Sequence, residues 1–147
     1  MYYTCRDQFG CSLNYRKLYS LLQQRGEICH AFAYAIDRAD DKQRKFQDAL
    51  RHIGFTVKLK PFIQRSDGTS KGDWDVGITI DMLEFAPAVD EVILLSGDGD
   101  FALLLQHIHQ KHQTRTTVIG VQSLTAFALM QSADEFVPVT QTWLQGS

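Results

Sequence analysis

The chain has 147 residues, enough for one domain (1–147) that buries about two-thirds of the surface its unfolded form exposes. With 15 basic against 17 acidic residues and a formal net charge of −2, it has no overall field to draw in nucleic acid, so any such binding must be local. Cys5, Cys11 and Cys29 are odd in number and fit no zinc-site spacing, no apolar run reaches the roughly 18 residues of a membrane span, and "MYYTCRDQFG" lacks a signal peptide's basic start and apolar centre. A reduced, cytoplasmic protein without internal repeats is expected.

Tyr15, Leu18, Tyr19 and Leu22 fall at i, i+3, i+4 and i+7, which predicts a helix that Gly26 ends. Residues 28–35, "ICHAFAYA", read as a strand. Asp40 or Asp41 caps a second helix whose inner face carries Phe46, Ala49, Leu50 and Ile53, with Gly54 as its stop. "FTVKLK", 55–60, alternates as a strand does, and the polar stretch "QRSDGTSKGD", 64–73, reads as the one mobile loop. Val76, Ile80 and Leu83 mark the inner face of a third helix, and "EVILLS" follows as a strand so apolar that both its faces should be covered. Phe101, Leu104, Leu105 and Ile108 predict a helix, "TTVIGV" a strand, 124–131 a helix and "FVPV" a short last strand. Alternation of this kind predicts an α/β fold: parallel strands joined by right-handed crossovers, helices on both faces, and ligands bound outside the carboxyl ends of the strands.

At that end of the strand from Glu91 to Ser96 stands "SGDGDF", in which Asp98 and Asp100 flank Gly99. For either acid alone, a helix cap, which accepts backbone N–H groups and offsets the helix dipole, explains it as well as a metal site does. Asp75, in "KGDWDVGITIDML", opens the third helix, where an acid is favoured in any case. Taken together, the three carboxylates make a hard, oxygen-rich set of the kind Mg²⁺ or Mn²⁺ prefers, with water completing the coordination. A cation held there would polarise a phosphoryl oxygen and activate a water for phosphodiester hydrolysis. Lys71, four residues before Asp75, is the best placed cation for backbone phosphates, ahead of Lys58, Lys60 and Arg65. Asp81 lies about 120° around the helix from Asp75 and is set outside the group.

Other candidates read more simply. His107, His109 and His112 fit a solvated helix end, where positive charge suits the dipole, four times better than a metal cluster. His30 and His52 have no identifiable role. Tyr2, Tyr3, Phe9 and Trp74 are aromatic groups able to stack unpaired bases, although packing is the commoner use; Trp74, beside Asp75, is the one to test. Neither a dinucleotide fingerprint nor a Walker motif is present.

"KGDWDVGITIDML", "VILLSGDGDF" and "ADEF", in this order over nearly the whole chain, resemble the NYN domain of the PIN-like nuclease superfamily, in particular its bacterial LabA-like branch. The resemblance implies a Rossmann-like three-layer sandwich with a mainly parallel sheet, and a Mg²⁺- or Mn²⁺-dependent ribonuclease acting through metal-activated water. Asp75, Asp98 and Asp100 then correspond to its catalytic and metal-binding acids, with Lys71, Ser96 and Trp74 on the substrate side. RNA is the implied partner, with a homodimer or protein partner left open. The alternative is a non-catalytic RNA- or protein-binding module of the same fold. One element of the family pattern, an opening strand that ends in Asp and is followed by Asn and aromatic residues, is not matched, because "MYYTCRDQ" begins just after it, and Asp7 lies too far along to replace it. The expectation is that Met1 is internal to a longer natural protein that carries this strand; otherwise the sheet is rearranged or completed by a partner, and metal binding is weakened.

Overall fold

The periodicities in the sequence become five α-helices and seven strands among the described residues of the computed structural model. These are residues 13–37, 39–61, 63–64, 70–71 and 74–144, with the backbone alone described at 61, 63–64 and 70–71. The chain divides into two compact units, Tyr15–Ile78 and Met1–Asn14 with Thr79–Ser147.

In the first unit, α1 (Tyr15–Arg25) leads to β1 (Phe32–Asp37), α2 (Asp41–Ile53) and β2 (Thr56–Pro61). Asp40 takes an extended conformation and its Oδ1 accepts from the Lys42 N–H at 2.9 Å, so it is the cap of α2 that the sequence led us to expect. Gly54, at φ 138°, ends the helix by donating its N–H to the Leu50 carbonyl. The crossover makes β1 and β2 parallel neighbours in register from Phe32 opposite Thr56 to Asp37 opposite Pro61. Leu18 and Leu50 are buried, whereas Phe46, expected inside, is partly exposed and packs edge-on against Tyr15. Of the stretch expected as a loop, 64–73, Gln64 and Ser70–Lys71 fall on a short antiparallel ladder, β3 (Ile63–Gln64) with β4 (Ser70–Lys71), and 65–69 and 72–73 lie outside the described residues.

α3 (Asp75–Phe85) carries a correction. Val76, Ile80 and Leu83, expected on its inner face, are 72%, 57% and 38% exposed, while Ile78, Met82 and Phe85 are half-buried. The helix is apolar nearly all round, so two stripes share the helical period and spacing alone cannot choose between them.

In the second unit, β5 (Glu91–Leu95), α4 (Ala102–His112), β6 (Arg115–Gly120), α5 (Phe127–Ser132) and β7 (Glu135–Pro138) form a three-stranded parallel sheet in the order β5-β6-β7. The helix expected over 124–131 is split: a 3-10 turn, Gln122–Leu124, is followed by Ala126 in an extended conformation before α5 begins. Leu105, Ile108, Val118, Ile119 and Leu129 are essentially inaccessible to water. The burial of these side chains supplies the apolar drive, about 25 cal/mol per Å². Near the ends of the chain, Leu13 bridges Leu144 and both are buried.

Central β6 also buries Thr116 and Thr117, and each finds an acid. The Thr117 hydroxyl donates to Glu91 Oε2 at 2.6 Å. Asp134 Oδ2 accepts from the Thr116 N–H at 2.8 Å, while the Asp134 N–H donates back to Thr116 Oγ1 at 3.1 Å. Arg115 ties Glu135 (3.0 Å) and Glu91 (3.4 Å) across the same strand starts. These bonds satisfy buried polar groups and fix the register of three strands at their amino ends. Cys29 is an exposed free thiol, and Cys5 and Cys11 lie outside the described residues. No helix of the described residues is long and apolar enough to cross a membrane.

The Thr116 N–H, with His109 and Arg115 adding favourable charge, holds the Asp134 carboxyl below the usual carboxylate range. A depressed folded pKa stabilises the native state above the unfolded value of about 3.9, and this contribution is lost as pH falls through the folded value. Asp134→Asn should therefore lower the urea midpoint at pH 7, with the gap to wild type closing as the pH is taken below about 3.9; a gap that does not depend on pH would show that the carboxylate charge plays no part.

Candidate functional site

The two aliphatic runs around "SGDGDF" prove to be β5 and α4, and the acids occupy the connection. Ser96 Oγ accepts from the Asp98 N–H at 3.1 Å. Asp98 is extended, at φ −78° and ψ 120°, and its Oδ1 accepts from the Asp100 N–H at 2.9 Å. Its carbonyl accepts from the Phe101 N–H, which starts a 3-10 turn, Gly99–Phe101, that runs straight into α4. Of the two acids, Asp98 is thus the cap, a role worth about 1 kcal/mol. Capping does not exhaust it. A carboxylate offers about four acceptor positions on two oxygens, so a cap that engages one oxygen leaves capacity for a ligand. Asp100 is exposed at the first turn of the helix, and the next residue, Phe101, is buried.

Backbone crowding fixes this connection. The Ala126 N–H donates to the Gly97 carbonyl at 3.0 Å, and a Cβ at position 97 would stand 2.4 Å from the Leu124 carbonyl oxygen. At the end of β6, a Cβ on Gly120 would lie 2.6 Å from Thr125 Oγ1, a hydroxyl that donates to the Val121 carbonyl at 2.7 Å. Only glycine lets the carboxyl ends of β5 and β6 approach the 121–126 segment this closely. Between them opens a cleft of about 400 Å³ lined by Ser96, Asp98, Val121, Leu124 and Thr125. It lies where ligands bind in parallel α/β sheets.

Asp75 belongs to the other unit, as the first residue of α3, and is half-buried. Its neighbour Trp74 decides where it stands. The indole Nε1 donates to the Ala35 carbonyl at 2.9 Å, and the ring packs 5.3 Å from Tyr34 with the Lys60 ammonium 5.0 Å from its centre. The start of α3 is thereby tied to the carboxyl-terminal half of β1. The expected packing role of Trp74 is real, and it positions the adjacent acid.

Asp37, which ends β1, is a rim carboxylate that the sequence reading passed over; its Oδ1 accepts from the Ala39 N–H at 3.0 Å. An Asp closing an apolar strand was the available signal. Lys58 lies with its ammonium 4.7 Å from the centre of the Phe32 ring. Lys71 falls on β4, with its side chain outside the described residues, as are Tyr2, Tyr3, Asp7, Phe9 and Arg65. His107 and His109 are exposed near the end of α4, with His109 Nδ1 3.4 Å from Asp134, and His112 closes the helix half-buried. The rim donors of the second unit, Asp98 and Asp100, are hard carboxylate oxygens held on one turn, a set suited to Mg²⁺ or Mn²⁺ rather than to a thiophilic metal.

The family profile for the NYN domain matches residues 1–140. Low amplitude and bright protein LabA of Synechococcus elongatus (strain ATCC 33912 / PCC 7942 / FACHB-805) is 33% identical over 117 residues, which are 76% of this chain and 62% of that protein. The chain therefore spans less than two thirds of this relative's length. The crystal structure of a protein of unknown function from Vibrio parahaemolyticus RIMD 2210633 superposes with a TM-score of 0.92 at 50% identity, covering 97% of this chain and 88% of that one.

Since Gly97 has backbone rather than a flexible side chain against it, Gly97→Ala should lower the urea midpoint by the equivalent of about 1–3 kcal/mol; an unchanged midpoint would mean that the 121–126 segment yields freely.

Proposed function

Because the chain belongs to the NYN domain family, we propose that its two units work as one domain that hydrolyses RNA phosphodiester bonds with Mg²⁺ or Mn²⁺ held by Asp75, Asp98 and Asp100. The observation that carries this reading is the Asp98 carboxylate, fixed by the Asp100 N–H on the turn at the carboxyl end of β5. Asp75 supports it from the other unit, opening a helix tied to the carboxyl-terminal half of β1.

When bound, the cation supplies Lewis-acid polarisation of the phosphoryl oxygen and a water of lowered pKa. The chain's own contribution is placement. Ser96 and the Asp100 amide hold Asp98 in one orientation, so its ligand oxygen need not be immobilised on binding. Asp100 adds a second carboxylate from the same turn, and Trp74 anchors the start of the helix that Asp75 opens. Lys71 provides the positive charge for a backbone phosphate, while Ser96 at the cleft and the Trp74 ring belong to the substrate side. The RNA substrate is cytoplasmic in this reading.

Asp98→Asn separates the two duties of this residue, because an amide oxygen still caps the turn but carries no charge for a cation. We expect it to keep the wild-type urea midpoint and to lose at least about tenfold in cleavage of labelled single-stranded RNA, since even outer partners of metal ligands are worth 10–100-fold. Mn²⁺ binding followed by calorimetry should weaken in parallel. If the full-length protein shows no cleavage that a chelator abolishes, or if Asp98→Asn cleaves as well as wild type, the nuclease reading gives way to a non-catalytic RNA- or protein-binding module.

A further inference from the structure

Three large apolar side chains border the acidic turn and remain in water: Leu103 is 75% exposed, Phe127 70% and Leu124 45%. Isolated exposed leucines mean little, but these three are gathered around one connection. Leu103 stands three residues beyond Asp100, on the helix that continues the turn. Leu124 lines the cleft that Asp98 also lines. Phe127 follows Ala126, whose N–H holds the Gly97 carbonyl and whose Cβ would be 3.0 Å from a Cβ on Gly99. The core of α5 is served by Leu129, which is fully buried, so packing does not account for Phe127.

We propose that this rim receives an unpaired base of single-stranded RNA, with Phe127 as the stacking surface and Leu103 and Leu124 beside it. The proposal rests on the reading of the Asp98–Asp100 turn as the place where RNA is cut. Charge decides the occupant. An apolar protein face laid over this rim would also cover Asp98 and Asp100 and strip water from two carboxylates, which is costly unless they are paired. A nucleotide brings an uncharged planar base for the apolar rim and a phosphate that meets the acids through a shared cation. The cleft of about 400 Å³, mixed apolar and polar in its lining, falls within the size range of small-molecule sites.

The test measures binding of a short, end-labelled single-stranded RNA by fluorescence anisotropy at low salt in Ca²⁺, which can join carboxylate and phosphate oxygens, with phosphorothioate linkages in the RNA to resist cleavage. Phe127→Ala should weaken binding on the order of tenfold, and Phe127→Trp should restore it, as expected for stacking on one base. A single abasic position moved along the strand should, at one place, weaken wild-type binding by a similar factor and leave Phe127→Ala unaffected. Equal RNA affinity of wild type and Phe127→Ala would overturn the proposal. So would light scattering that shows a wild-type dimer turned into a monomer by Phe127→Ala with RNA affinity unchanged, which would make the rim a contact between copies. If Asp98→Asn abolishes cleavage while Phe127→Ala binds normally, the base site fails and the nuclease reading stands; if wild type neither binds nor cleaves RNA, both fail.

Discussion

The approach of Gly97 to the Leu124 carbonyl is the constraint on which the acidic turn depends. A strand leaving a sheet can carry its next residues in many directions, and here the choice is made by a backbone contact with no room for a methyl group. The Ala126 N–H then closes on the Gly97 carbonyl, and the chain must rise through Asp98 in an extended conformation before it can turn into α4. The Asp98 cap, the burial of Phe101 and the outward place of Asp100 all follow from this exit path. Changing the identity of the acids would leave the path intact, whereas crowding the glycine would move every acid on it.

A second constraint works at the opposite end of the same sheet. β6 buries two threonines that an all-apolar strand would not need, and acids at its neighbours' ends satisfy them. Unpaired, each would cost about 1–3 kcal/mol, so a slipped register is penalised in addition to the loss of packing. The amino ends of β5, β6 and β7 are thus held by polar pairing, and their carboxyl ends are left for loops shaped by glycine. This division suits a parallel sheet, whose ligand-binding rim must tolerate charge while its other rim need only keep the strands aligned.

The sequence made local features legible and hid distant ones. The Asp40 cap, the Gly54 stop and the strands β2, β5 and β6 were readable because each is encoded within a few consecutive residues. The exit of β5 into an acidic turn was readable for the same reason, as was the NYN resemblance, whose motifs keep their order. The buried side of α3 was not, because Ile78, Met82 and Phe85 repeat at the same spacing as Val76, Ile80 and Leu83. Nor was the break before Phe127, which depends on where Ala126 must reach to meet Gly97. The bond from Trp74 to Ala35 joins residues 39 apart, and nothing in the local pattern of either announces it. For Asp98 and for Asp100 the sequence left capping and metal binding evenly matched, and only the backbone direction of the turn shows that Asp98 is the cap.

The hydrogen bond from the Asp100 amide to Asp98 also has a thermal side. It is made during folding, so the torsional freedom of that carboxylate is already spent in the folded chain, which would favour the cation proposed to bind there. Short turns at helix starts open more readily than the sheet behind them. On warming, the turn therefore frays first and Asp98 regains its rotamers while β5, β6 and β7 remain paired. If the proposed cation binds here, its affinity should accordingly decline at temperatures where the sheet is still intact, so that heat would reach the site before the fold.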